Sequence, residues 1–484
     1  MKKISSPVRH NKPFPSTSAP FYFIGIGGIG MSALARYYMA QKGPVEGSDS
    51  QKSSITDELI KEGVRVKIGQ KTPPKGLKGR ERPVAVIYNR AIPLENPELE
   101  AFRSEGVPLI PYAKALGEVT REYDTIAITG SHGKSTTTAL AAVMLMRAGF
   151  DPTVLVGTKL ADLGGRNVRI GGRNGRRCDD HRWLVLEADD YQAAFLHYSP
   201  SIAIVTNIDR EHMDFYKTFG NVQRAFLRFL GRTREGGMLI LNKDDAPLAS
   251  LRDRIMTLAR NKKLKVVWYS RRGAEAAAIK KYLTLPGAHN LSNAAAVYAL
   301  GRALGIPQKK IFGAFHAYRG AWRRMEYRGT ISVGARRVKV FDDYAHHPTE
   351  IKATIAAFRE KFPHAPLLVA FQPHQAKRLA ALFDDFQSAF AGADVVWIAP
   401  IYAVRGRDEA VKYDSAALVR AMQSRPGATE KVFSLEDMRH LGRALRTLLA
   451  TPLFPPRTTP VLVMMGAGNI VDATARIMKP ARSK

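Results

Sequence analysis

The sequence predicts an α/β chain in three segments, and three observations carry that reading. Apolar runs of strand length alternate with helical stretches along the chain. Two of those runs end in glycine-rich turns that open a helix, Gly25 to Gly30 and Gly130 to Thr136. Polar and acidic clusters follow other apolar runs, at the strand ends where open α/β sheets bind ligands.

The first segment begins with Phe21-Tyr22-Phe23-Ile24, a buried-strand signature, followed by Gly25-Ile26-Gly27-Gly28-Ile29-Gly30 and a helix from Met31 to Gln41. A short strand leads to Gly47-Ser48-Asp49. A strand at Val84 to Tyr88 and a helix at Pro97 to Ser104 continue the alternation, which implies a parallel, doubly wound sheet. The Pro/Gly-rich tract Lys71 to Pro83 reads as a loop, and the segment ends near Glu118 to Asp124. Gly25-x-Gly27-x-x-Gly30, with Asp49 about twenty residues on, matches the dinucleotide fingerprint. Physically, a diphosphate can rest on this helix N-terminus while Asp49 bonds a ribose hydroxyl. A nicotinamide dinucleotide, a UDP-sugar or plain close packing of helix on strand all satisfy the pattern.

The second segment opens with the apolar run Thr125 to Ile128. Thr129-Gly130-Ser131-His132-Gly133-Lys134-Ser135-Thr136 and a helix from Thr137 to Arg147 follow. Glycines let backbone amides close around phosphate oxygens at a helix N-terminus. Lys134 can reach terminal phosphates and the Ser135 hydroxyl can hold Mg2+. The pattern is the short G-x-x-G-K-[ST], with Ile128 where the longer form has a glycine. Strands are expected at Trp183 to Leu186, Ile202 to Thr206, Met238 to Leu241 and Val266 to Tyr269, with helices at Asn221 to Leu230 and Asn290 to Leu304. The Gly/Arg stretch Gly164 to Arg177 has no periodicity and is expected to be a mobile loop.

Glu187-Ala188-Asp189-Asp190 follows one of these strands, and Asn207 to Asp214 follows the next. Magnesium prefers oxygen ligands and keeps waters, so Ser135 and Glu187 are its expected ligands. His212 suits a second divalent ion or the γ-phosphate. Asn290 and Asn293, one turn apart, either read an adenine edge or cap their helix.

The third segment follows Gly320-Ala321-Trp322-Arg323-Arg324-Met325-Glu326. It alternates again: strand Val338 to Asp342, helix Pro348 to Lys361, strand Leu367 to Phe371, helix Lys377 to Phe390, then strands Val395 to Ala399 and Pro460 to Met464. Arg323 and Arg324 either neutralise a transferring phosphoryl group or are solvated. Asp342-Asp343-Tyr344-Ala345-His346-His347-Pro348 ends one strand and Phe371-Gln372-Pro373-His374 ends the next.

Composition narrows the class. At 484 residues the chain should hold roughly two to four domains. No run is long and apolar enough to cross a membrane. The first twenty residues carry Lys2, Lys3, Arg9 and Lys12 among Ser and Pro, and read as a disordered basic arm. The single cysteine, Cys178, excludes an intramolecular disulfide and a Cys-based zinc cluster, so a reducing cytosol is the default. The net charge of +31 raises nucleic-acid binding as a rival. The basic residues are scattered, however, with few interleaved aromatics, so a surface that attracts anionic metabolites is the preferred reading.

Taken together, these motifs resemble the Mur ligases, ATP-dependent amide-forming enzymes of peptidoglycan precursor synthesis. The markers in order are Gly130 to Thr136, Glu187-Ala188-Asp189, Thr206-Asn207-Ile208 through His212 and Asp214, Gly287-x-His289-Asn290, and Arg323-Arg324-x-Glu326. Gly47-Ser48-Asp49, Asp342 to Glu350, Phe371 to His374 and Gly466-Ala467-Gly468-Asn469-Ile470 point to the branch that adds L-alanine to the lactyl carboxylate of UDP-N-acetylmuramate. The branch that attaches recycled murein tripeptide is the runner-up. A nucleic-acid-binding P-loop ATPase and an NAD-dependent oxidoreductase are the rivals from other classes.

The resemblance implies a Rossmann-like N-terminal domain for the UDP-sugar (21–120), a central P-loop ATPase domain with a parallel sheet (121–327) and a Rossmann-like C-terminal domain for the amino acid (328–484). It implies ATP and Mg2+, an acyl-phosphate intermediate, a monomer or weak dimer, and neither nucleic acid nor membrane insertion. Gly25, Gly27, Gly28, Ile29, Gly30, Ser48 and Asp49 would hold the sugar nucleotide. Gly130 to Thr136, Asn290, Asn293, Arg324 and Asp343 would hold ATP, with Asp343 on its ribose. Ser135, Glu187 and His212 would hold metal. Tyr344, His346, His374 and Arg378 would line the substrate cleft, and Lys134, Glu187, His212, Arg324 and His346 would carry the chemistry. The chain departs from the family pattern at Gln70, Asn89-Arg90, Glu211, Gln375-Ala376 and Asn469.

Overall fold

The computed structural model describes residues 18–69, 82–89, 91–172, 181–402, 413–428, 430–455 and 458–479. Gln70, Arg90, Cys178, most of the tract 71–83, residues 173–177 and all but the end of the N-terminal arm lie outside them. The chain divides into two compact units, residues 1–284 with 292–318, and residues 285–291 with 319–484.

The first unit contains two sheets. One has strands β1 (Phe21–Ile24), β2 (Val45–Asp49), β3 (Arg65–Ile68), β4 (Ala85–Tyr88) and β5 (Leu109–Pro111), in the order β3-β2-β1-β4-β5, all parallel. The chain moves outward from β1 to β3 and restarts at β4 on the other side. The glycine turn after β1 therefore lies at the topological switch point, where such sheets leave a crevice.

The second sheet has β6 (Asp124–Thr129), β7 (Thr153–Leu160), β8 (Arg166–Arg169), β9 (Trp183–Glu187), β10 (Ile202–Val205), β11 (Met238–Asn242) and β12 (Lys265–Tyr269). Their order is β12-β11-β10-β6-β9-β7-β8, parallel except for the β7–β8 hairpin. β6 sits between β9 and β10, so the loop after β6 is flanked by the ends of both. Ile128 pairs with Glu187 and Thr129 with Val205.

The expected mobile loop at Gly164 to Arg177 is corrected in part. Residues 166–169 form β8, held as an edge strand by β7, although Arg and Asn mask its strand character. Strand β8 also joins the two sheets. Asn167, fully buried, donates to the Ile29 carbonyl at 2.6 Å and to Ser32 Oγ at 3.1 Å, while its own oxygen accepts from Arg36 at 2.9 Å. Arg36 further pairs with Glu62 and Glu58, and Lys159 pairs with Glu58. One apolar cluster spans both sheets, from Phe21, Phe23 and Tyr38 to Leu184, Phe195 and Phe226, and a separate one on the first sheet holds Tyr22, Ile24, Val86 and Phe102.

The second unit carries β13 (Glu326–Val333), β14 (Arg336–Asp343), β15 (Leu367–Phe371), β16 (Val395–Ile398), β17 (Lys431–Ser434) and β18 (Val461–Met465), in the order β13-β14-β18-β15-β16-β17. Only β13–β14 is antiparallel. Alternate residues of β18 serve opposite faces: Val461, Val463 and Met465 enter one core, Leu462 and Met464 the other. The helix expected at Lys377 to Phe390 is two short helices, Ala376–Ala381 and Phe383–Gln387, broken at Leu382. Its apolar spacing runs unbroken through Leu379, Leu382, Phe383 and Phe386, so the sequence pattern carries no mark of the break.

Candidate active site

The phosphate loop is strapped from a neighbouring strand. Gly130 takes φ +141° and Gly133 φ +82°, and a Cβ on Gly130 would overlap Thr206 Oγ1. The Thr206 hydroxyl donates to the His132 carbonyl at 2.6 Å, and Asn207 Nδ2 donates to it at 3.0 Å. The Ser131 amide donates to the Asn207 carbonyl and the His132 amide to Asn207 Oδ1. Asp209 closes the strap: its amide donates to Ser131 Oγ at 2.7 Å, and its carboxylate lies 2.8 Å from His132 Nε2. Long-range bonds from 206–209 thus fix a loop too short to fix itself. The helix Lys134–Ala148 starts inside the loop, and its first amides have no partner one turn upstream.

Lys134 folds across this loop. Its ammonium donates to the Gly130 carbonyl at 2.6 Å, the Ser131 carbonyl at 3.1 Å and Asp190 Oδ1 at 2.8 Å. Burial pulls its pKa down, but Asp190, Asp189 and Glu187 more than reverse this, so the side chain stays charged. Ser135 Oγ donates to Glu187 Oε1 at 2.8 Å, and the Gly157 amide donates to Glu187 Oε2 at 2.6 Å. One ligand atom each from Asp189, Asp190 and His212 lie within 4.8 Å of one another. His212 is held against the Tyr191 ring, with centroids 4.9 Å apart. These oxygens and one imidazole suit a hard divalent cation.

The two amides one turn apart separate in role. Asn293 closes on the loop, since a Cβ on Gly133 would stand 2.5 Å from its Oδ1. Asn290 Nδ2 donates to the Pro286 carbonyl at 2.7 Å, a local bond that holds the helix start.

The first glycine turn is fixed by its own neighbourhood. The amides of Gly25 and Ile26 donate to the Ser48 carbonyl, and the Gly27 amide donates to Asp49 Oδ2 at 2.8 Å. Asp49 Oδ1 accepts from Gln51. The expected ribose ligand therefore shapes the turn first. The Ser48 side chain turns inward. Its hydroxyl is buried and donates to Glu98 at 2.6 Å, which also accepts from Tyr22. Gly28 and Ile29 lie at the start of the helix Ile29–Gln41, with Gly30 in its first turn.

In the second unit the ends of β14, β18 and β15 align, with Asp343 opposite Met465 and Met465 opposite Phe371. The Asp343 carboxylate, only 3% exposed, accepts from the Met325 and Ala345 amides and the Thr354 hydroxyl. Burial raises its pKa. Asp343 braces the Arg323–Met325 turn, where Arg323 and Met325 take positive φ. The guanidinium carbons of Arg323 and Arg324 lie 5.0 and 5.2 Å from the Tyr344 ring centroid.

Around that turn, Arg324 and His346 both face Glu350, at 3.5 and 3.1 Å. The His346 and His374 rings lie 5.9 Å apart, His374 stacks on Tyr402, and Arg378 Nη1 donates to His374 Nδ1 at 3.3 Å. The structure therefore gathers Tyr344, His346, His374 and Arg378. Desolvation and the Arg324 charge hold the His289 imidazole down at about 4. Of the departures, Asn469 bonds Gln372 through its Oδ1 at 2.9 Å. Two polar residues escape the sequence reading, Asn167 on β8 and Tyr112 beside Gly30, because neither sits in a glycine turn or an acidic cluster.

Comparison with known proteins agrees with this layout. Residues 20–124 match the Mur ligase family catalytic domain, 128–301 the Mur ligase middle domain and 323–468 the Mur ligase glutamate ligase domain. The UDP-N-acetylmuramate–L-alanine ligase of Desulfosudis oleivorans is 37% identical over 457 residues, covering 88% of this chain and 94% of its own. The enzyme of the same name from Desulfatibacillum aliphaticivorans is 36% identical, covering 93% and 96%. The crystal structure of UDP-N-acetylmuramate-alanine ligase from Thermotoga maritima superposes with a TM-score of 0.72 at 23% identity, over 95% of this chain and 98% of that one. A murein peptide ligase from Psychrobacter arcticus follows at 0.65 and 20%, with 95% and 98% covered. By identity over most of its length and by all three of its segments, this chain belongs to the Mur ligase family.

Proposed function

We propose that this protein joins L-alanine to the lactyl carboxylate of UDP-N-acetylmuramate, converting ATP to ADP and phosphate, in peptidoglycan precursor synthesis. The observation that carries the reading is the 37% identity, over 88% of the chain, to an enzyme named for that reaction. Two glycine turns support it, one for a sugar nucleotide and one for ATP. We assign the sugar nucleotide to residues 21–120, ATP to 121–327 and the amino acid to 328–484. Use of ATP and a UDP-sugar supports a cytoplasmic location for the reaction.

A free carboxylate is a poor electrophile, so one of its oxygens must become a leaving group. The lactyl carboxylate attacks the γ-phosphorus, the bond to the β-phosphate oxygen breaks, and an acyl phosphate and ADP result. The alanine amine then adds to the acyl carbon, loses a proton and expels phosphate. Lys134 would exchange its loop carbonyls for phosphoryl oxygens, and the amides at the start of the helix Lys134–Ala148 would cradle them. Ser135 and Glu187 would hold Mg2+, which neutralises phosphate charge when bound, and His212, beside Asp189 and Asp190, would hold a second divalent ion or the γ-phosphate. Arg324, steadied by Glu350 and the Tyr344 face, offers a cation for the transferring group. Tyr344, His346, His374 and Arg378 are assigned to the amino acid.

The test is phosphate release across a panel of amino acids and murein tripeptide. Release that requires both UDP-N-acetylmuramate and L-alanine supports the reading, whereas release with tripeptide alone establishes the recycling branch. The structural likeness to the Psychrobacter arcticus murein peptide ligase is the reason to include tripeptide. Stimulation by polynucleotide, or an absorbance change with a nicotinamide cofactor, would overturn both.

A further inference from the structure

Tyr112 is the first residue of the helix Tyr112–Arg121, immediately after β5. Because β5 runs parallel to β4, with Pro111 opposite Tyr88, Tyr112 stands at the C-terminal rim of the first sheet, where the crevice opens. Its hydroxyl stands over the first glycine turn. A Cβ built on Gly30 would lie 2.8 Å from Tyr112 Oη and 3.2 Å from its Cζ. The ring is half-buried against the core shared by the two sheets. Among the described residues the hydroxyl has no hydrogen-bond partner, whereas the hydroxyls of Tyr22, Tyr37 and Tyr216 all have one.

The groups around this hydroxyl indicate what would bind it. The Gly28 amide donates to the Gly25 carbonyl within the turn, the amides of Ile29 and Gly30 at the helix start are donors, and a phenol beside them is one more donor. A ligand that satisfies all of them must bring several acceptor lone pairs in a small space, as a phosphoryl or carboxylate group does. The phenol is also a durable donor. Burial, and then the charges of Asp189 and Glu187, hold its pKa far above the ordinary range, so it keeps its proton at neutral pH. Those two carboxylates belong to the β9 end, beside the phosphate loop, so the hydroxyl feels both sites. The Asn167 and Arg36 bonds fix the helix Ile29–Gln41 on the second sheet, which keeps that placement constant.

We infer that the Tyr112 hydroxyl is a binding group for the sugar nucleotide on the Gly25–Gly30 turn, donating a hydrogen bond to one of its anionic oxygens. The inference rests on the proposed function and adds to it a residue that no glycine fingerprint contains. The shared chemistry is an anionic oxygen, whether of the diphosphate or of the lactyl carboxylate.

Calorimetric titration of wild-type protein and Tyr112→Phe with UDP and with UDP-N-acetylmuramate tests it. The Phe ring keeps the core packing, and matched melting temperatures confirm that the variant folds. A roughly tenfold loss of affinity is expected, the scale of one hydrogen bond to a charged group. Loss with both ligands assigns the bond to the diphosphate, and loss with UDP-N-acetylmuramate alone assigns it to the carboxylate. The KM for ATP should stay unchanged. Unaltered affinity for both ligands in Tyr112→Phe overturns the role of Tyr112 while leaving the ligase reading intact. A wild-type protein that binds neither ligand overturns the ligase reading itself, and Tyr112 with it.

Discussion

The two glycine turns of the first unit end parallel strands in the same way yet are held by opposite means. Gly25 to Gly30 is fixed locally, by the Ser48 carbonyl and the Asp49 carboxylate of the adjoining strand. Gly130 to Thr136 is fixed from a distance of more than seventy residues, by Thr206, Asn207 and Asp209, and is spanned by its own lysine. A local turn can lose one bond and keep its shape. A strapped loop transmits any loss to the residues that contact the nucleotide.

The largest expected effect is on the strapped side. Lys134→Ala removes the only cation bonded to the loop carbonyls in the described structure and takes from buried Asp190 its hydrogen-bonded ammonium. Ligation should fall by about a thousandfold or more, read as ADP release under saturating substrates. Intact turnover would mean that the loop does not engage ATP.

Alanine at the two turn glycines makes the comparison direct. At Gly130 a Cβ meets Thr206 Oγ1 at a strained φ, which should destabilise the protein by about 3 kcal/mol in denaturant unfolding. At Gly25 the nearest atom is Ile92 Cδ1 at 3.7 Å, so only backbone strain of about 1 kcal/mol is expected. Equal losses would show that the strap carries no special load.

Asp245 gives a pH test of the same strap. It accepts from the Ile208 amide and caps the helix Ala246–Ser250, and burial pushes its pKa up to about 6. The folded state therefore binds its proton more tightly than the unfolded chain. Stability contributed by that proton is full below about pH 4 and is lost as pH rises to about 6. Asp245→Asn should match the wild type at pH 4 and exceed it by about 1 kcal/mol at pH 7, measured by melting temperature across that range.

The smallest effect falls on the local turn. Asp49→Asn keeps an acceptor for the Gly27 amide, so the KM for UDP-N-acetylmuramate should rise only about threefold with the KM for ATP unchanged. A large rise would mean that Asp49 also grips the nucleotide.

Strands with continuous apolar runs, and the glycine turns between strand and helix, were legible in the sequence because period and composition coincide there. β1, β15 and the helix Pro348–Lys361 have the bounds that pattern alone assigns. β8 was not legible, because its Arg-Asn-Val-Arg sequence is set by the polar groups it meets. At the site, residue types were legible but their commitments were not. Nothing in Gly47-Ser48-Asp49 shows that the serine turns inward to Glu98, or in Asp342-Asp343 that the second carboxylate braces a turn. Those facts depend on neighbours fifty and eighteen residues away.

The bond from Asn167 to Ile29 has a consequence for how the chain comes apart. With a fully buried side chain of one sheet completing the backbone of the other's first helix, neither sheet can open alone without stranding polar groups in an apolar core. The two sheets therefore form one cooperative block, whose amides should exchange with solvent together. A nucleotide bound to either turn would slow that exchange across both.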